Sequence, residues 1–245
     1  MKDIIKVFEE YVSKYDINNK DIKLKYDHSY RVMKLSEKYS KLLGYSKEDI
    51  ELATIIGLFH DIGRFEQLQK YNTYKDTTNI DHASLGVKIL FEDNLIEQIY
   101  DKKENYEIIK FAIENHNKLI VEKKDNNRVL MHAKLIRDMD KLDIIYLEGY
   151  LDMFTMRSIK DDITKEVYDS IMNHKCVDYK LKKNKNDSIA IFFSYVFDVN
   201  NDIVLNELKQ NYKYFYERVD IENKFKEIYE EIIRYIDERN DKNVR

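Results

Sequence analysis

Proline is absent from the 245 residues of this chain, and only five glycines occur. Tight turns between strands depend on these two residue types, so their scarcity favours helices joined by polar loops. Apolar side chains recur at spacings of three and four residues along most of the chain, which is the period of an amphipathic helix. The sequence therefore predicts an all-α fold, a helical bundle.

Several predicted helices have recognisable ends. Gly44 is suited to end a helix, because glycine readily adopts the left-handed conformation that follows many helix C-termini. Ser46 and Asp81 are suited to begin helices, because their side chains can accept a hydrogen bond from a free backbone N–H of the first turn. The polar and irregular residues 64–79 predict a loop that could cover a site. The predicted helices run over Asp3–Tyr15, His28–Leu43, Ser46–His60, Asp81–Asp93, Glu104–His116 and Asn127–Tyr150.

We predict a main domain over residues 1–160 and a helical extension over residues 161–245. With 43% apolar residues, the chain is long enough to bury a sizeable core. An apolar stripe near the C-terminus predicts a helix that packs on the main domain or forms a dimer surface. The stripe consists of Phe225, Ile228, Ile232 and Ile236.

Charge and cysteine content bear on partners and compartment. The net charge is −4 although 36% of residues are charged, so no basic excess predicts a nucleic-acid polymer as partner. The single cysteine, Cys176, excludes a disulfide within the chain and suits a reducing compartment. The nearly apolar stretch Ile189–Phe197 is far too short to cross a membrane as a helix. We therefore predict a cytoplasmic protein with no membrane partner, which could form a homodimer.

Four of the six histidines and Asp140 lie on predicted apolar helix faces, and Asp61 directly follows one of these histidines. An unpaired charge at such a buried position would cost several kcal/mol. A shared divalent cation would satisfy all six side chains at once, with neutral imidazoles and ionised carboxylates. Taken singly, a histidine on such a face is more often packed and hydrogen-bonded, and we interpret His132 as structural. His174 lies outside the set and has no predicted partner. The six are His28, His60, Asp61, His82, His116 and Asp140.

The order of these residues resembles the H…HD…D signature of the HD superfamily of metal-dependent phosphohydrolases. "HSYRV" around His28 is similar to the first histidine motif of that family, "LFHDIGR" to its His-Asp motif, and "IRDMDKLD" to its final aspartate motif. The resemblance covers roughly residues 20–150 and implies an HD-domain helical bundle, followed by a C-terminal helical extension. It also implies that His28, His60, Asp61 and Asp140 bind a metal ion.

Two further segments, "IDHASLGVKIL" and "AIENHNK", resemble those of family members that bind two ions. On that pattern His82 and His116 would hold the second ion, and Asp61 would bridge the two. The cyclic-dinucleotide branch usually carries a His-His pair and a Gly-Tyr-Pro motif. Here Asn115 precedes His116 and the chain has no proline, which argues against hydrolysis of cyclic di-GMP. One ligand of the second ion would then be missing or replaced by water.

Mixed imidazole and carboxylate ligands suit Mn²⁺, Fe²⁺, Co²⁺, Ni²⁺ or Zn²⁺, and the sequence does not choose among these metals or between one ion and two. Water activated at such a site could attack a phosphoester. Cations would have to balance the phosphoryl oxygens, and we predict Arg31, Arg64 and Lys141 as substrate-binding residues. Asp61 and Arg64 are the predicted catalytic residues. An equally weighted alternative pairs Arg64 with Glu66 at the surface.

The predicted function is hydrolysis of a phosphomonoester or phosphodiester of a small molecule, with a nucleotide as the expected substrate. Four aromatic residues that flank the motifs could stack on a base, although packing is the more common role of such rings. Two alternatives stay open, namely a di-iron oxygenase of the same fold and a nucleotide- or metal-binding sensor without catalytic activity. The four aromatic residues are Tyr30, Phe65, Tyr71 and Tyr74.

Overall fold

A computed structural model describes residues 2–77, 79–151, 155–220 and 223–243 of the protein. Within these ranges the regular secondary structure is helical, and the β-type contact is an isolated bridge between Thr77 and Ile80. The prediction of an all-α fold is confirmed. The chain forms two compact units, residues 1–139 and 140–245. The division predicted near residue 160 stays a prediction.

The first unit is built from short and medium-length helices, and its last helix continues into the second unit. The α-helices are α1 (Ile4–Val12), α2 (Lys20–Leu42), α3 (Lys47–Phe59), α4 (Ile62–Tyr71), α5 (His82–Val87), α6 (Ile96–Ile99), α7 (Tyr106–Asn115) and α8 (Asn127–Tyr146). Irregular helical segments extend two of these helices: π-helical Lys88–Glu92 follows α5, and π-helical Leu147–Leu151 follows α8. A 3₁₀ turn, Lys103–Asn105, precedes α7.

The helix ends follow the local sequence. Ser46 and Asp81 cap α3 and α5 as predicted, and each side chain accepts a hydrogen bond from a backbone N–H of the first turn. Helix α2 ends just before Gly44, which has a φ of +73°. The same helix is longer than predicted, because it begins directly after Asn19 and not at His28. The Asn19 side chain caps that earlier start.

The predicted loop over residues 64–79 is wrong in its first half, because α4 extends to Tyr71. Ile62, Phe65 and Leu68 recur every three residues and are buried, which gives this otherwise polar helix an apolar face. The helix stops at Asn72, where the backbone adopts the left-handed conformation with a φ of 48°. Residues 72–81, called the 72–81 loop below, connect α4 to α5.

Two glycines allow helices of the first unit to approach closely. At Gly57 of α3, a Cβ atom would lie 2.9 Å from the carbonyl oxygen of Val32 in α2. At Gly63 of α4, a Cβ atom would collide with the carbonyl oxygen of His82 and lie 2.6 Å from the backbone nitrogen of Gly86. Because a side chain would push these backbones apart, each glycine fixes how two helices meet.

An aromatic cluster around α1 forms part of the first core. The ring of Phe8 lies 5.7 Å from that of Phe59 and 5.9 Å from that of Phe65, and all three side chains are fully buried. Tyr30 meets Phe8 edge-on at 5.7 Å, and its hydroxyl donates to Glu9 at 2.9 Å. Phe65 and Tyr30 therefore pack against the core rather than present free faces to a ligand.

The second unit is also helical, and its described residues enclose a core of their own. The ring of Phe193 lies 4.8 Å from Phe215, 5.7 Å from Tyr212 and 5.8 Å from Phe225. Its 3₁₀ turns are Tyr179–Leu181, Tyr195–Asp198 and Asp202–Val204. Its α-helices are α9 (Lys165–Met172), α10 (Lys185–Ser194), α11 (Leu205–Val219) and α12 (Lys226–Asn243).

Helix α12 and the residue just before it, Phe225, carry the predicted apolar stripe. The four side chains of the stripe are at most 1% exposed, and α12 packs on α9, α10 and α11. The stripe therefore belongs to the interior of the second unit. None of the helices in the described ranges combines the length and the apolar content needed to cross a bilayer.

We expect Gly63→Ala to destabilise the protein far more than Gly86→Ala, although both residues lie where α4 crosses α5. The first change drives a methyl group into backbone atoms that cannot yield, and overpacking of this kind costs roughly 3 kcal/mol. The second meets Cγ2 of the Ile62 side chain at 3.3 Å, a contact that a shift of a few tenths of an ångström relieves. Chemical denaturation of both variants measures the difference, and equal losses of stability would contradict this account of the crossing.

Candidate metal centre

Five of the six predicted metal ligands meet in the interior of the first unit. Helix α2 contributes His28, the end of α3 contributes His60, and Asp61 lies between α3 and α4. His82 begins α5, and His116 follows the last residue of α7. None of the five is more than 3% exposed. The fold thus gathers side chains that are far apart in the sequence at one buried position.

The Asp61 carboxylate lies at the centre of the four imidazoles. Its Oδ2 atom is 3.6 Å from Nε2 of His28 and 3.6 Å from Nε2 of His60. Its Oδ1 atom is 3.3 Å from Nε2 of His82 and 3.5 Å from Nε2 of His116. Asp61 occupies the N-cap position of α4, yet its side chain makes no capping hydrogen bond. Each carboxylate oxygen therefore faces its own pair of histidines.

Hydrogen bonds at the outer ring nitrogen fix the proton in two of these imidazoles. Nδ1 of His60 is 2.9 Å from the carbonyl oxygen of Gly57, and Nδ1 of His116 is 2.6 Å from that of Ile113. A carbonyl oxygen can only accept, so Nδ1 carries the proton in both rings. The Nε2 atoms keep their lone pairs and point towards Asp61.

The paired imidazoles face each other through their Nε2 atoms. These atoms are 3.3 Å apart for His28 and His60, and 3.0 Å apart for His82 and His116. Where neither nitrogen of a pair carries a proton, the two lone pairs repel each other unless a positive charge lies beside them. A divalent transition-metal ion fits this donor set, because imidazole nitrogen and carboxylate oxygen are its usual ligands. The four histidines and Asp61 thus offer donor groups for a divalent metal ion.

The protonation states suit metal binding. Burial raises the pKa of the Asp61 carboxyl, but the Lys25 ammonium and the surrounding imidazoles outweigh burial and hold that pKa well below its usual range. Burial lowers the pKa of His116 to about 4, so this ring is neutral near pH 7. An ionised carboxylate and a neutral imidazole are the forms that coordinate metal ions.

Lys25 belongs to the site, although no motif marked it in the sequence. Its Nζ atom is 2.7 Å from Oδ2 of Asp61, and its side chain is 15% exposed. It lies on α2 three residues before His28 and therefore on the same helix face. That spacing is the signal that could have identified Lys25, but it is weak because most lysines on helices are simply solvated.

Arg64 lies beside the other oxygen of Asp61. Its Nε atom is 3.7 Å from Oδ1 of Asp61 and makes no hydrogen bond. Its Nη1 atom donates to the carbonyl oxygen of Tyr74 at 2.6 Å. Glu66, the alternative partner considered from the sequence, pairs with Lys70. Arg64 thus borders the buried carboxylate, and its side chain is 14% exposed.

Tyr74 lies in the 72–81 loop, and its ring contacts both Lys25 and Arg64. Its ring centroid is 5.6 Å from Nζ of Lys25 and 5.8 Å from Cζ of Arg64. Its hydroxyl donates to the carbonyl oxygen of Asp21 at 2.7 Å, which ties the loop to α2. These contacts hold Tyr74 in place, whereas Tyr71 is 47% exposed.

Asp76 of the same loop contacts His82 from outside the ligand cluster. Its Oδ2 atom accepts a hydrogen bond from Nδ1 of His82 at 2.7 Å, so this ring also presents Nε2 to Asp61. Burial raises the pKa of Asp76, but the hydrogen bond from His82 and the charges of His82 and Arg64 outweigh burial and lower the pKa to about 2. The sequence did not mark Asp76, because its loop has no periodic pattern.

The other predicted site residues occupy two positions in the chain. Arg31 is half-buried on α2, one turn after His28. Asp140 and Lys141 lie in succession on α8 and begin the second unit. There Nζ of Lys141 pairs with Oδ2 of Asp198 at 2.6 Å. Asp140 as a metal ligand, and Arg31 and Lys141 as substrate-binding residues, stay predictions.

The two histidines outside the predicted ligand set have carboxylate partners. Nε2 of His132 lies 3.1 Å from Oδ1 of Asp49 within the first unit. Nε2 of His174 lies 2.6 Å from Oε1 of Glu231 within the second unit. Burial lowers the pKa of His132, as expected for a packed imidazole.

Comparison with protein families agrees with the geometry of the site. A family model described as HD domain matches residues 26–145, a segment that contains all six predicted ligands. HD domains bind divalent metal ions, and most proteins of this family are metal-dependent phosphohydrolases. The comparisons with curated proteins and with solved structures gave no match. Residues 26–145 therefore form an HD domain, which supports the place of this chain in the HD superfamily.

Proposed function

We propose that the protein is a metal-dependent phosphohydrolase that cleaves a phosphomonoester or phosphodiester of a small molecule. The observation that carries the proposal is the arrangement of four imidazoles around one carboxylate, with a separate pair facing each oxygen. A carboxylate shared in this way suits two adjacent ions, which can hold both the attacking and the leaving oxygen of a phosphoryl group. Nucleotides are the substrate class that we propose first.

In this proposal the histidine pair beside Oδ2 of Asp61 would hold one ion, and the pair beside Oδ1 would hold the second. Divalent transition metals would suit these donors, which are nitrogen and oxygen in a buried setting. The fixed tautomers of His60 and His116 keep their coordinating nitrogens directed inward without any rearrangement. The first pair is His28 and His60, and the second pair is His82 and His116.

We also propose Asp140 as a ligand, on the strength of its place on α8. Arg137, three residues earlier, donates from Nη1 to the carbonyl oxygen of His116 at 3.2 Å. Residues three apart on an unbroken helix share a face. Helix α8 runs unbroken from Asn127 to Tyr146, so Asp140 shares a helix face with Arg137, which supports the proposal.

The residues around the ligands supply positive charge for the phosphoryl group. Ions bound here would lower the pKa of a water molecule and polarise the phosphoester. Lys25 and Arg64 lie 2.7 Å and 3.7 Å from the two oxygens of Asp61, where a phosphoryl group bound at this site would develop negative charge. The free Nε of Arg64 and its planar guanidinium suit two parallel hydrogen bonds to phosphoryl oxygens.

A screen for phosphoester hydrolysis tests the proposal. Wild-type protein, purified without chelator and supplemented in turn with five divalent transition metals, is assayed on p-nitrophenyl phosphate, bis-p-nitrophenyl phosphate and a nucleotide panel. We expect turnover with at least one ion. Asp61→Asn keeps the shape of the side chain but removes its charge, so activity should fall more than ~100-fold, beyond what loss of an outer-shell residue causes.

Three other outcomes would contradict the proposal. Full activity of Asp61→Asn would exclude the shared carboxylate as the centre of the reaction. Oxygen uptake by iron-loaded protein without phosphoester turnover would support an oxygenase instead. Binding of nucleotides without turnover under any metal would support a sensor.

The number of bound ions tests the two-ion arrangement separately. Inductively coupled plasma analysis should find two ions per wild-type chain and one in His116→Ala, because that change removes a ligand of the second ion only. His174→Ala is the control, since its ring bonds to Glu231 outside the ligand cluster, and should keep both ions. A single ion in wild type, unaffected by His116→Ala, would favour a mononuclear site.

We expect Arg64→Ala to raise KM or lower kcat by ~10–100-fold, since a hydrogen bond to a charged group contributes about 1.5–3 kcal/mol. Arg64→Lys keeps the charge but cannot form two parallel bonds, so its loss should be smaller. Thermal unfolding of both variants is the control. A loss of stability would reflect the missing hydrogen bond to the Tyr74 carbonyl oxygen, whereas loss of a substrate contact alone leaves stability unchanged. Unchanged kinetics in Arg64→Ala would remove Arg64 from the substrate site.

A further inference from the structure

We propose that Asp76 is a positioning residue of the metal centre, which holds the His82 imidazole in the tautomer and orientation needed to bind the second ion and ties this ligand to Arg64. The proposal rests on the two-ion function proposed above. It concerns a carboxylate in the 72–81 loop, outside the set of ligands that surround Asp61.

Both oxygens of Asp76 engage His82. Oδ2 accepts from Nδ1 of the ring at 2.7 Å, and Oδ1 accepts from the backbone N–H at 3.2 Å. These two bonds fix the ring relative to the start of α5. They leave the Nε2 lone pair directed at Oδ1 of Asp61, 3.3 Å away. A carboxylate behind a metal-binding imidazole also makes the ring a stronger donor, because it stabilises positive charge on the ligand.

The groups bonded to the Asp76 carboxylate are all donors, so a carboxylate is the side-chain end that matches them. Besides His82, Oδ1 accepts from Nε2 of Gln67 at 3.0 Å and lies 3.4 Å from Nη1 of Arg64. An asparagine at this position would turn its NH₂ group against one set of these donors. A residue that only stabilised the loop would need one hydrogen-bond acceptor. Asp76 accepts hydrogen bonds through both of its carboxylate oxygens.

The contact with Arg64 links the ligand to the proposed phosphate-binding side chain. Nη1 of Arg64 reaches the Tyr74 carbonyl oxygen and Asp76, while its Nε faces Asp61. Tyr74 in turn anchors the loop to α2 through its hydroxyl. The Asp76 carboxylate therefore restrains one side chain of the second metal position and one cation for the substrate at the same time.

The tautomer of His82 gives a test that does not depend on activity. Long-range ¹H–¹⁵N correlation spectra of metal-free protein, labelled with ¹⁵N in histidine, distinguish a proton on Nδ1 from one on Nε2. We expect wild type to carry the His82 proton on Nδ1, and Asp76→Ala and Asp76→Asn to show a mixture. Asp81→Asn is the matched control, because Asp81 precedes His82 but bonds to Ser84 and Asn117. A wild-type tautomer in Asp76→Ala would overturn the proposal.

Titration of Mn²⁺ into the metal-free proteins gives the second test. Asp76→Asn should weaken one of two binding events by ~10–100-fold, the usual effect of losing an outer-shell partner. The other event should stay unchanged, a selectivity that general destabilisation would not produce. Asp81→Asn should bind both ions as wild type does, since asparagine caps a helix as well as aspartate. Asp76→Glu, which keeps a carboxylate, should recover part of the loss.

The outcomes separate this proposal from the function on which it rests. Two unaltered binding events in Asp76→Asn would overturn the role of Asp76 and leave the two-ion function in place. A single binding event in wild type would overturn both. If Asp76→Ala does not fold, as judged by thermal unfolding, Asp76→Asn has nearly the same volume as the wild-type side chain and decides the question.

Discussion

The buried Asp61 carboxylate requires positive charge around it, and the described helices of the first unit are arranged to supply that charge. Removing a carboxylate from water costs several kcal/mol unless cations or strong donors replace the lost solvent. Lys25 and Arg64 provide two cations, and the nearby imidazoles direct lone pairs that a metal ion would accept. Close approach at Gly57 and Gly63 brings the supporting helices near enough for these side chains to meet. The charge at Asp61 thus explains features of packing that hydrophobic burial alone would not require.

The sequence could predict the helical fold and the grouping of the buried histidines with Asp61, because both depend on periodicity. An ionisable residue on an apolar stripe must be buried, and a buried ionisable residue needs a partner, so these five side chains could be grouped before any contact was known. Helix α4 was missed because its apolar face is narrow and lies among polar residues. Lys25 and Asp76 were missed for a different reason. Their roles depend on which segments meet in space. The local sequence gives little sign that a charged residue of this kind will become half-buried in the folded protein.

The ends of α3 and α7 use one local device to orient a ligand. His60 and His116 are the C-cap residues of their helices, and each ring donates from Nδ1 to the carbonyl oxygen three residues earlier. Carbonyls in the last turn of a helix lack the usual N–H partner four residues later. The imidazole satisfies one such carbonyl and is thereby held with Nε2 pointing away from the helix. A histidine placed at a helix C-terminus is therefore oriented by the helix itself, without help from distant residues.

His82 cannot be oriented in this way, because it lies at the other end of a helix. The first turn of α5 offers free N–H groups and no free carbonyls, so an imidazole there finds no acceptor for its Nδ1 proton in its own helix. An acceptor must come from another segment, and it must be able to accept hydrogen bonds from the backbone N–H groups at the start of α5 as well. The carboxylate of Asp76 meets both conditions, since one oxygen accepts from the ring and the other from the backbone N–H of His82. The 72–81 loop thus provides the acceptor for the Nδ1 proton of His82 at the start of α5. At the ends of α3 and α7, a carbonyl of the helix itself accepts the corresponding proton.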